Sequence, residues 1–83
     1  MQNFIFNTAL GRKFQQEVIS LAKNNGIEIN YDVYEDYFVV VFEQYFELQR
    51  NDVVRFIVLS EKYDLDFSVR AEYDSLIFEY KKL

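Results

Sequence analysis

Two successive stretches of this chain show the same order of hydrophobic patterns, and that order restricts the fold more than any other feature. Each stretch begins with apolar residues at helical spacing and continues with two runs in which apolar and polar residues alternate. At an offset of 38 residues, Ile27 falls on Leu65 and Phe38 falls on Leu76. Few residues are identical, so the stretches are either an internal repeat or two unrelated units of equal length. Either interpretation predicts a helix followed by two strands, twice.

Capping residues mark the ends of the two predicted helices. Asn7 or Thr8 can cap the first helix, because either side-chain oxygen can accept a hydrogen bond from a free backbone N–H group. Gly26 is expected to end this helix, since glycine readily adopts the left-handed conformation that follows many helices. Asn51 can cap the second helix, and Asp64 is expected just beyond its end.

The alternating runs predict two antiparallel hairpins. If residues 35–36 form a two-residue loop, Val33 faces Phe38 and Tyr31 faces Val40. A second hairpin built in the same way also places its apolar pairs on one face, as a sheet with one buried side requires. Its predicted pairs are Ala71 with Leu76, Val69 with Phe78 and Phe67 with Tyr80.

These elements predict an α+β fold, with one antiparallel sheet of four to five strands and both helices on one face. A short strand over residues 3–6 would give the order (β)αββαββ, which allows a ferredoxin-like pseudo-repeat and a parallel contact with a later strand. Proline is absent and no linker is visible, so residues 1–83 are predicted to form a single domain. The predicted core residues are Phe14, Val18, Leu21, Ile29, Val33, Phe38, Val40, Phe42, Phe56, Ile57, Phe67, Val69, Leu76 and Phe78.

Missing residue types exclude several kinds of chemistry. The chain has no cysteine and no histidine, which rules out a disulfide, a zinc–thiolate site, a Cys nucleophile and a Ser–His–Asp triad. It also lacks a glycine-rich phosphate loop. Carboxylates such as Asp64 and Asp66 lie at predicted turns, where capping and solvation explain them. We therefore expect no enzymatic activity, no cofactor and no bound metal.

Charge is distributed unevenly along the chain. Nine basic and 14 acidic residues give a formal net charge of −5. Between Lys23 and Arg50 there are six acidic residues and no basic one. Affinity for phosphates comes from clustered lysine and arginine, so direct binding of nucleic acid is not expected. Because the sequence has neither a signal peptide nor an apolar run near the ~18 residues of a membrane span, a cytoplasmic protein without membrane contact is expected.

The acidic stretch is also rich in tyrosine, which is enriched at the centres of protein interfaces. On the predicted outer face of the first hairpin, aromatic and apolar side chains stand among carboxylates, more than a solvated face needs. The other interpretation is an acidic surface that serves solubility, with Tyr31 directed to the core. The predicted partner-binding residues are Asp32, Tyr34, Glu35, Asp36, Tyr37, Val39, Val41 and Glu43.

A rigid hairpin that carries tyrosines and carboxylates suits a basic groove on another protein, because complementary charge speeds and directs the encounter. In composition the chain is similar to small, acidic, cysteine-free inhibitors that phages and mobile elements direct against nucleases, glycosylases or CRISPR effectors. Residue types with AT-rich codons also outnumber those with GC-rich codons, which favours such an origin. We therefore predict a protein-binding inhibitor or modulator of the anti-defence type, which acts as a nucleic-acid mimic on a basic partner.

Two other functions remain open from the sequence. The first is a homo-oligomeric structural or chaperone-like domain, such as a homodimer, that associates through the face formed by Tyr37, Val39 and Val41. The second is a small hydrolase that uses carboxylates. Association through an apolar face should survive high salt, whereas capture of a basic partner should weaken.

Overall fold

The computed structural model describes residues 6–43 and 48–83, and every structural statement below concerns these residues. They form two helices and four strands, which confirms the predicted α+β class. Apart from Phe6, the additional strand predicted over residues 3–6 lies outside the described residues. In chain order the elements are α1 (Ala9–Asn24), β1 (Asn30–Val33), β2 (Tyr37–Phe42), α2 (Arg50–Lys62), β3 (Leu65–Glu72) and β4 (Ser75–Lys82).

Short-range hydrogen bonds define both ends of α1. Thr8 is the N-cap, and its side-chain oxygen accepts a hydrogen bond from the backbone N–H of Gly11 at 3.2 Å. At the other end, Gly26 has a φ of +67°, and the N–H of Ile27 donates to the carbonyl of Ala22 at 2.8 Å. This bond satisfies a carbonyl that the end of the helix would otherwise leave free.

The second helix begins earlier than the sequence predicted. Its N-cap is Gln49 and not Asn51. The backbone N–H of Gln49 donates to the carboxylate of Asp52 at 3.2 Å, and a negative charge in the first turn is favourable because free N–H groups point toward it. α2 ends at Lys62, and Asp64 follows with a φ of +54°. The predicted position of Asp64 just past the helix is therefore confirmed.

The four strands form one sheet with the order β1-β2-β4-β3, and every strand pair in it is antiparallel. Both hairpin registers are as predicted, with Tyr31 opposite Val40 and Val69 opposite Phe78. The two hairpins join through the central strands β2 and β4. As a result, β3 runs parallel to β2 with β4 between them, which is the split βαβ unit of ferredoxin-like folds.

The core lies between the helices and the inner face of the sheet. In α1 the ring of Phe14 contacts the rings of Phe38 and Tyr80, with centroid distances of 5.5 and 4.9 Å. In α2 the ring of Phe56 contacts that of Phe78 at 5.6 Å. Both helices therefore pack on the same set of alternating strand residues, as predicted. The Tyr80 hydroxyl donates to the carbonyl of Phe56 at 2.7 Å, and burial raises the pKa of Tyr80, which keeps it neutral.

Of the 14 predicted core residues, seven are buried and two are exposed. The other five are half-buried, namely Leu21, Ile29, Ile57, Phe67 and Leu76. Val33 and Val69 lie on the helix side of the sheet, yet they are 40% and 47% exposed. They belong to β1 and β3, which have one neighbouring strand each among the described residues, whereas the inner-face residues of the central strands are well covered. The core also contains apolar residues that were not predicted, namely Phe6, Ala22, Tyr63, Leu65 and Tyr80.

Candidate protein-binding face

The predicted partner-binding residues lie at the first hairpin, on the side of the sheet that faces away from the helices. We call the strand residues on that side the outer face. Because side chains alternate along a strand, the inward positions of Phe38, Val40 and Phe42 place Tyr37, Val39 and Val41 on the outer face. The outer face comprises Asn30, Asp32, Tyr37, Val39, Val41, Asp66, Ser68, Arg70, Glu72, Ser75, Ile77, Glu79 and Lys81, together with Tyr34 and Glu43 at the strand ends.

An apolar patch lies at the centre of the outer face. Val41 is directly opposite Ile77, and Val39 is its neighbour along β2. The sequence predicted that Val39 and Val41 are exposed, but Val39 is only 9% exposed and Val41 is half-buried. Val39 lies in a central strand, directly between its cross-strand neighbours Asp32 and Glu79. The patch therefore offers less apolar area than the sequence indicated.

Two tyrosines stack at one end of this patch. The rings of Tyr34 and Tyr37 are 4.3 Å apart and within 11° of parallel. The backbone N–H of Tyr34 donates to the carbonyl of Tyr37 at 2.9 Å, which holds the two residues opposite each other. Loss of solvent around Tyr37 and the nearby Tyr34, Glu79 and Asp36 raise the pKa of Tyr37, so its hydroxyl is neutral at pH 7. The pair is a preformed aromatic surface with two hydrogen-bonding groups.

Glu35 and Asp36 form the tip of the first hairpin, beside the stacked tyrosines. Both side chains are exposed. The backbone carbonyl of Asp36 accepts a hydrogen bond from the N–H of Lys82 at 3.2 Å, which ties the tip to the end of β4. The tip therefore presents two solvated carboxylates from a loop whose backbone is attached to the central sheet.

Most of the charge on the outer face is negative. The outer face and the tip together contain seven carboxylates and only two basic side chains, so their balance equals the net charge of the whole chain, −5. Arg70 is already close to two carboxylates, at 3.4 Å from Glu79 and 3.7 Å from Glu72. The acidic residues are Asp32, Glu35, Asp36, Glu43, Asp66, Glu72 and Glu79, and the basic residues are Arg70 and Lys81.

The helix side of the molecule has the opposite balance. Within α1 and α2, six lysine and arginine residues outnumber three acidic ones. A groove of about 560 Å³ runs between the two helices, with the exposed Val54 and Val58 on one wall and Lys13 and Glu17 on its lining. Arg55 also lines the groove, so two basic groups stand against one carboxylate, and the groove does not share the preference of the outer face for positive charge.

Sequence reasoning found the first hairpin but not the neighbours that complete the outer face. Ile77, Glu79 and Arg70 join it because β2 pairs with β4, a contact between the two halves of the chain. The alternating pattern of the second hairpin indicated which of its residues face outward. That pattern does not specify which strand lies beside β4. The predicted residues of the first hairpin are brought together, with Glu43 accepting a hydrogen bond from Asn30 at 3.2 Å.

Within residues 6–43 and 48–83, no group of three or more acidic side chains is arranged to hold a metal ion. None of the helices in the described part of the chain is both long and apolar enough to cross a membrane. No protein-family model matches the sequence, and no curated protein is similar to it.

Proposed function

We propose that this protein is a non-enzymatic binding protein whose outer face and first hairpin tip capture a basic surface on another protein. The observation that carries this proposal is the placement of charge. Nine charged groups with a balance of −5 lie on one side of the sheet and its tip, the side that also carries the stacked Tyr34 and Tyr37. The class of partner with the matching chemistry is a protein with a groove lined by lysine and arginine, as in nucleic-acid-binding proteins.

The sheet arranges its carboxylates as a regular array. Neighbouring strands are about 4.8 Å apart, and same-face residues on one strand are about 6.6 Å apart. Lysine and arginine side chains in a phosphate-binding groove can pair with carboxylates at such spacings, since both carboxylates and phosphates accept charge-assisted hydrogen bonds. Occupation of that groove would exclude nucleic acid, so the finer form of the proposal is an inhibitor of the anti-defence type. Composition alone supports that finer form.

The stacked tyrosines supply the second part of the recognition. A tyrosine ring buries a large area when a partner covers it, and its hydroxyl keeps a hydrogen-bonding group at the interface. Tyr34 is 45% exposed, so about half of its surface is available to a partner. In this proposal, the carboxylates direct the encounter and the tyrosine pair provides the anchor.

Self-association through the same face has less support. Its apolar part is small, because Val39 and Ile77 are only 9% and 7% exposed. Two copies that approach through this face would also bring two surfaces of like charge together, which is unfavourable. A basic partner would carry the opposite charge, and its binding would not depend on a large apolar area.

The test combines a partner capture with a charge and aromatic variant of the tip. The triple variant Tyr34→Ala, Glu35→Lys, Asp36→Lys is expected to weaken binding at least 30-fold, since one truncated anchor costs about 2 kcal/mol or more. A partner is captured from a bacterial lysate with the wild-type protein, identified by mass spectrometry and titrated by calorimetry at two salt concentrations.

The matched control is Glu61→Lys with Asp74→Lys. It makes the same change in charge at two exposed carboxylates that do not belong to the outer face or to the first hairpin tip. Wild-type-like binding by this control and a loss at the first tip would support a hairpin site. Equal losses from both variants would indicate diffuse attraction, and unaltered binding by the triple variant with an intact fold would overturn the proposal.

A further inference from the structure

The edge strand β3 is long, and of the features that usually protect an edge it has only charged side chains, namely Asp66, Arg70 and Glu72. It has eight residues, no proline, and pairs with β4 without a bulge from Leu65 to Glu72. Among the described residues, β4 is the only strand beside it. A free edge presents backbone N–H and C=O groups to other strands, so natural proteins usually shorten it, bend it or charge it. The opposite edge, β1, has only four residues.

The sequence of β3 is complementary to itself in the antiparallel direction. If two copies of β3 pair about Ser68, Asp66 of each copy lies opposite Arg70 of the other, and Ser68 lies opposite Ser68. These residues share the outer face. On the inner face the same register places Phe67 opposite Val69. Asp66 and Arg70 then each meet an opposite charge and each apolar side chain meets an apolar one, the pairings that stabilise antiparallel strands. Glu72 falls opposite Asp64 of the other copy, but Asp64 lies outside the strand with a φ of +54°.

We propose that β3 pairs with β3 of a second copy in a two-fold dimer centred on Ser68, which joins two four-stranded sheets into one. The exposed side chains agree with this partner, since Val69 is 47% exposed and would be covered by Phe67 of the other copy. Arg70 is 3.4 Å from Glu79 in its own chain, and Asp66 of the second copy would add a further carboxylate beside it.

Charge also favours this register over the two nearest ones in which outer-face residues still lie opposite outer-face residues. A shift of two residues in one direction places Asp66 opposite Glu72, which pairs like charges. A shift in the other direction places Arg70 opposite Asp64, but Asp64 lies outside the strand with a φ of +54°. Of these three registers, only the one centred on Ser68 keeps two pairs of opposite charge within the extended part of β3. A register centred on Ala71 would pair Arg70 with Glu72 of the other copy, and a cysteine at residue 71 detects it.

The dimer goes beyond the proposed function and does not depend on it. Antiparallel pairing about a two-fold axis leaves both outer faces on the same side of the joined sheet. The two acidic surfaces would then form one longer surface. Because the dimer forms from this chain alone, its test needs no partner, and its failure would leave the proposed binding face unaffected.

The first test uses a single cysteine, which is specific because the chain has none. Residues directly opposite each other in an antiparallel pair have Cα atoms about 4.5–5.5 Å apart, within the range of about 4.4–6.8 Å that a disulfide needs. Ser68→Cys is therefore expected to form a covalent dimer under mild oxidation, measured on non-reducing gels.

Ala71→Cys is the matched control on the same exposed strand. In the proposed register the two copies of residue 71 lie six positions out of alignment, or about 20 Å apart. Faster cross-linking of Ser68→Cys than of Ala71→Cys supports the proposal. Equal rates would overturn it, since they would reflect random collision.

The second test uses charge reversal and sedimentation velocity. Asp66→Arg and Arg70→Asp each replace two attractive pairs with two repulsive ones, so each variant alone is expected to dimerise about tenfold more weakly than the wild type. A mixture of the two variants restores opposite charges at both pairs, and the heterodimer is expected to form. A wild-type protein that stays monomeric at high concentration, or a mixture no more associated than its components, would overturn the proposal.

Discussion

At the scale of one residue, Tyr73 has a backbone conformation that is unfavourable for any residue with a side chain. Its φ is +56°, in the left-handed region, and its side chain is fully exposed. A side chain with a Cβ atom in this region costs roughly 1–2 kcal/mol, because the Cβ atom approaches the following carbonyl oxygen. Asp64 has a similar φ at the end of α2, where such a conformation is common and a short polar residue tolerates it better.

We predict that Tyr73→Gly stabilises the protein. Glycine removes the strain at positive φ but adds freedom to the unfolded chain, so the expected net gain is about 0.5–1 kcal/mol. The corresponding rise in Tm is about 2–8 °C for a domain of this size. Thermal unfolding followed by circular dichroism measures it.

Glu35→Gly is the control for this prediction, since Glu35 occupies the equivalent loop position 38 residues earlier and does not have a positive φ. Glycine there only adds freedom to the unfolded chain and is expected to lower stability by about 0.5–1 kcal/mol. If both glycine variants changed Tm in the same direction, strain at Tyr73 would not be the cause.

At the scale of elements, one cluster of three side chains ties α1 to the end of α2. Glu17 of α1 accepts hydrogen bonds from Lys62 at 2.6 Å and from the hydroxyl of Tyr63. The hydrogen bonds from Lys62 and Tyr63 lower the pKa of Glu17 below its usual value of 4.5. Burial, with the bond to Glu17, raises the pKa of Tyr63 to about 12. Each shift couples the contact between the helices to pH.

We predict that Glu17→Gln lowers stability by about 0.5–1.5 kcal/mol at pH 7, the range of a partly exposed charged hydrogen bond. The pKa of Glu17 is lower in the folded state than in the unfolded state. Its contribution is therefore present above pH 4.5 and is lost as pH falls through the folded-state pKa. Urea unfolding of both proteins at pH 7 and pH 3 should show the difference between them shrinking at pH 3.

Glu61→Gln provides a matched change on the exposed side of α2. It should alter stability by less than about 0.5 kcal/mol at pH 7, as expected for a surface position. A Glu17→Gln effect that is no larger than this control, or one that stays constant down to pH 3, would contradict the assigned role of Glu17.

At the scale of the whole molecule, one aromatic core joins the helices to the sheet. Phe42 of β2 contacts Phe56 of α2 at 5.3 Å and Phe78 of β4 at 4.7 Å. The core therefore connects the two halves of the chain through side chains that are far apart in sequence. The charges divide along the same layers, with the negative excess on the outer face and the positive excess on the helices.

We predict that Phe42→Ala lowers the free energy of unfolding by about 3–5 kcal/mol, because it removes a buried ring and leaves a cavity. This is a large part of the stability of a small domain. Urea unfolding measures the loss. Far- and near-ultraviolet circular dichroism should report the same midpoint if the core holds both halves in one cooperative unit.

Val58→Ala removes apolar atoms from a side chain that is 52% exposed, and it should change stability by less than about 1 kcal/mol. A Phe42→Ala loss that is no greater than this, or two separate unfolding transitions, would mean that the halves do not share the core.

The amino-acid sequence by itself determined the local parts of this protein. Thr8, one of the two predicted caps, begins α1 and Gly26 follows its end as predicted, because a cap depends on residues within one turn of the helix end. The hairpin pairs Val33–Phe38 and Ala71–Leu76 were predicted correctly, since a short loop and an alternating pattern leave one register that keeps the apolar residues together. The placement of tyrosines and carboxylates on the first hairpin followed from the same register.

Only the tertiary structure decided how the two halves meet. The pairing of β2 with β4 joins strands that are more than 30 residues apart, and no local pattern selects one partner strand among several similar ones. That pairing put Ile77 beside Val41, covered Val39, and left Val33 and Val69 exposed at the edges. The burial of a strand residue depends on which strands lie beside it. The set of residues on the outer face, and the place of β3 at an edge of the described sheet, therefore followed only from the assembled structure.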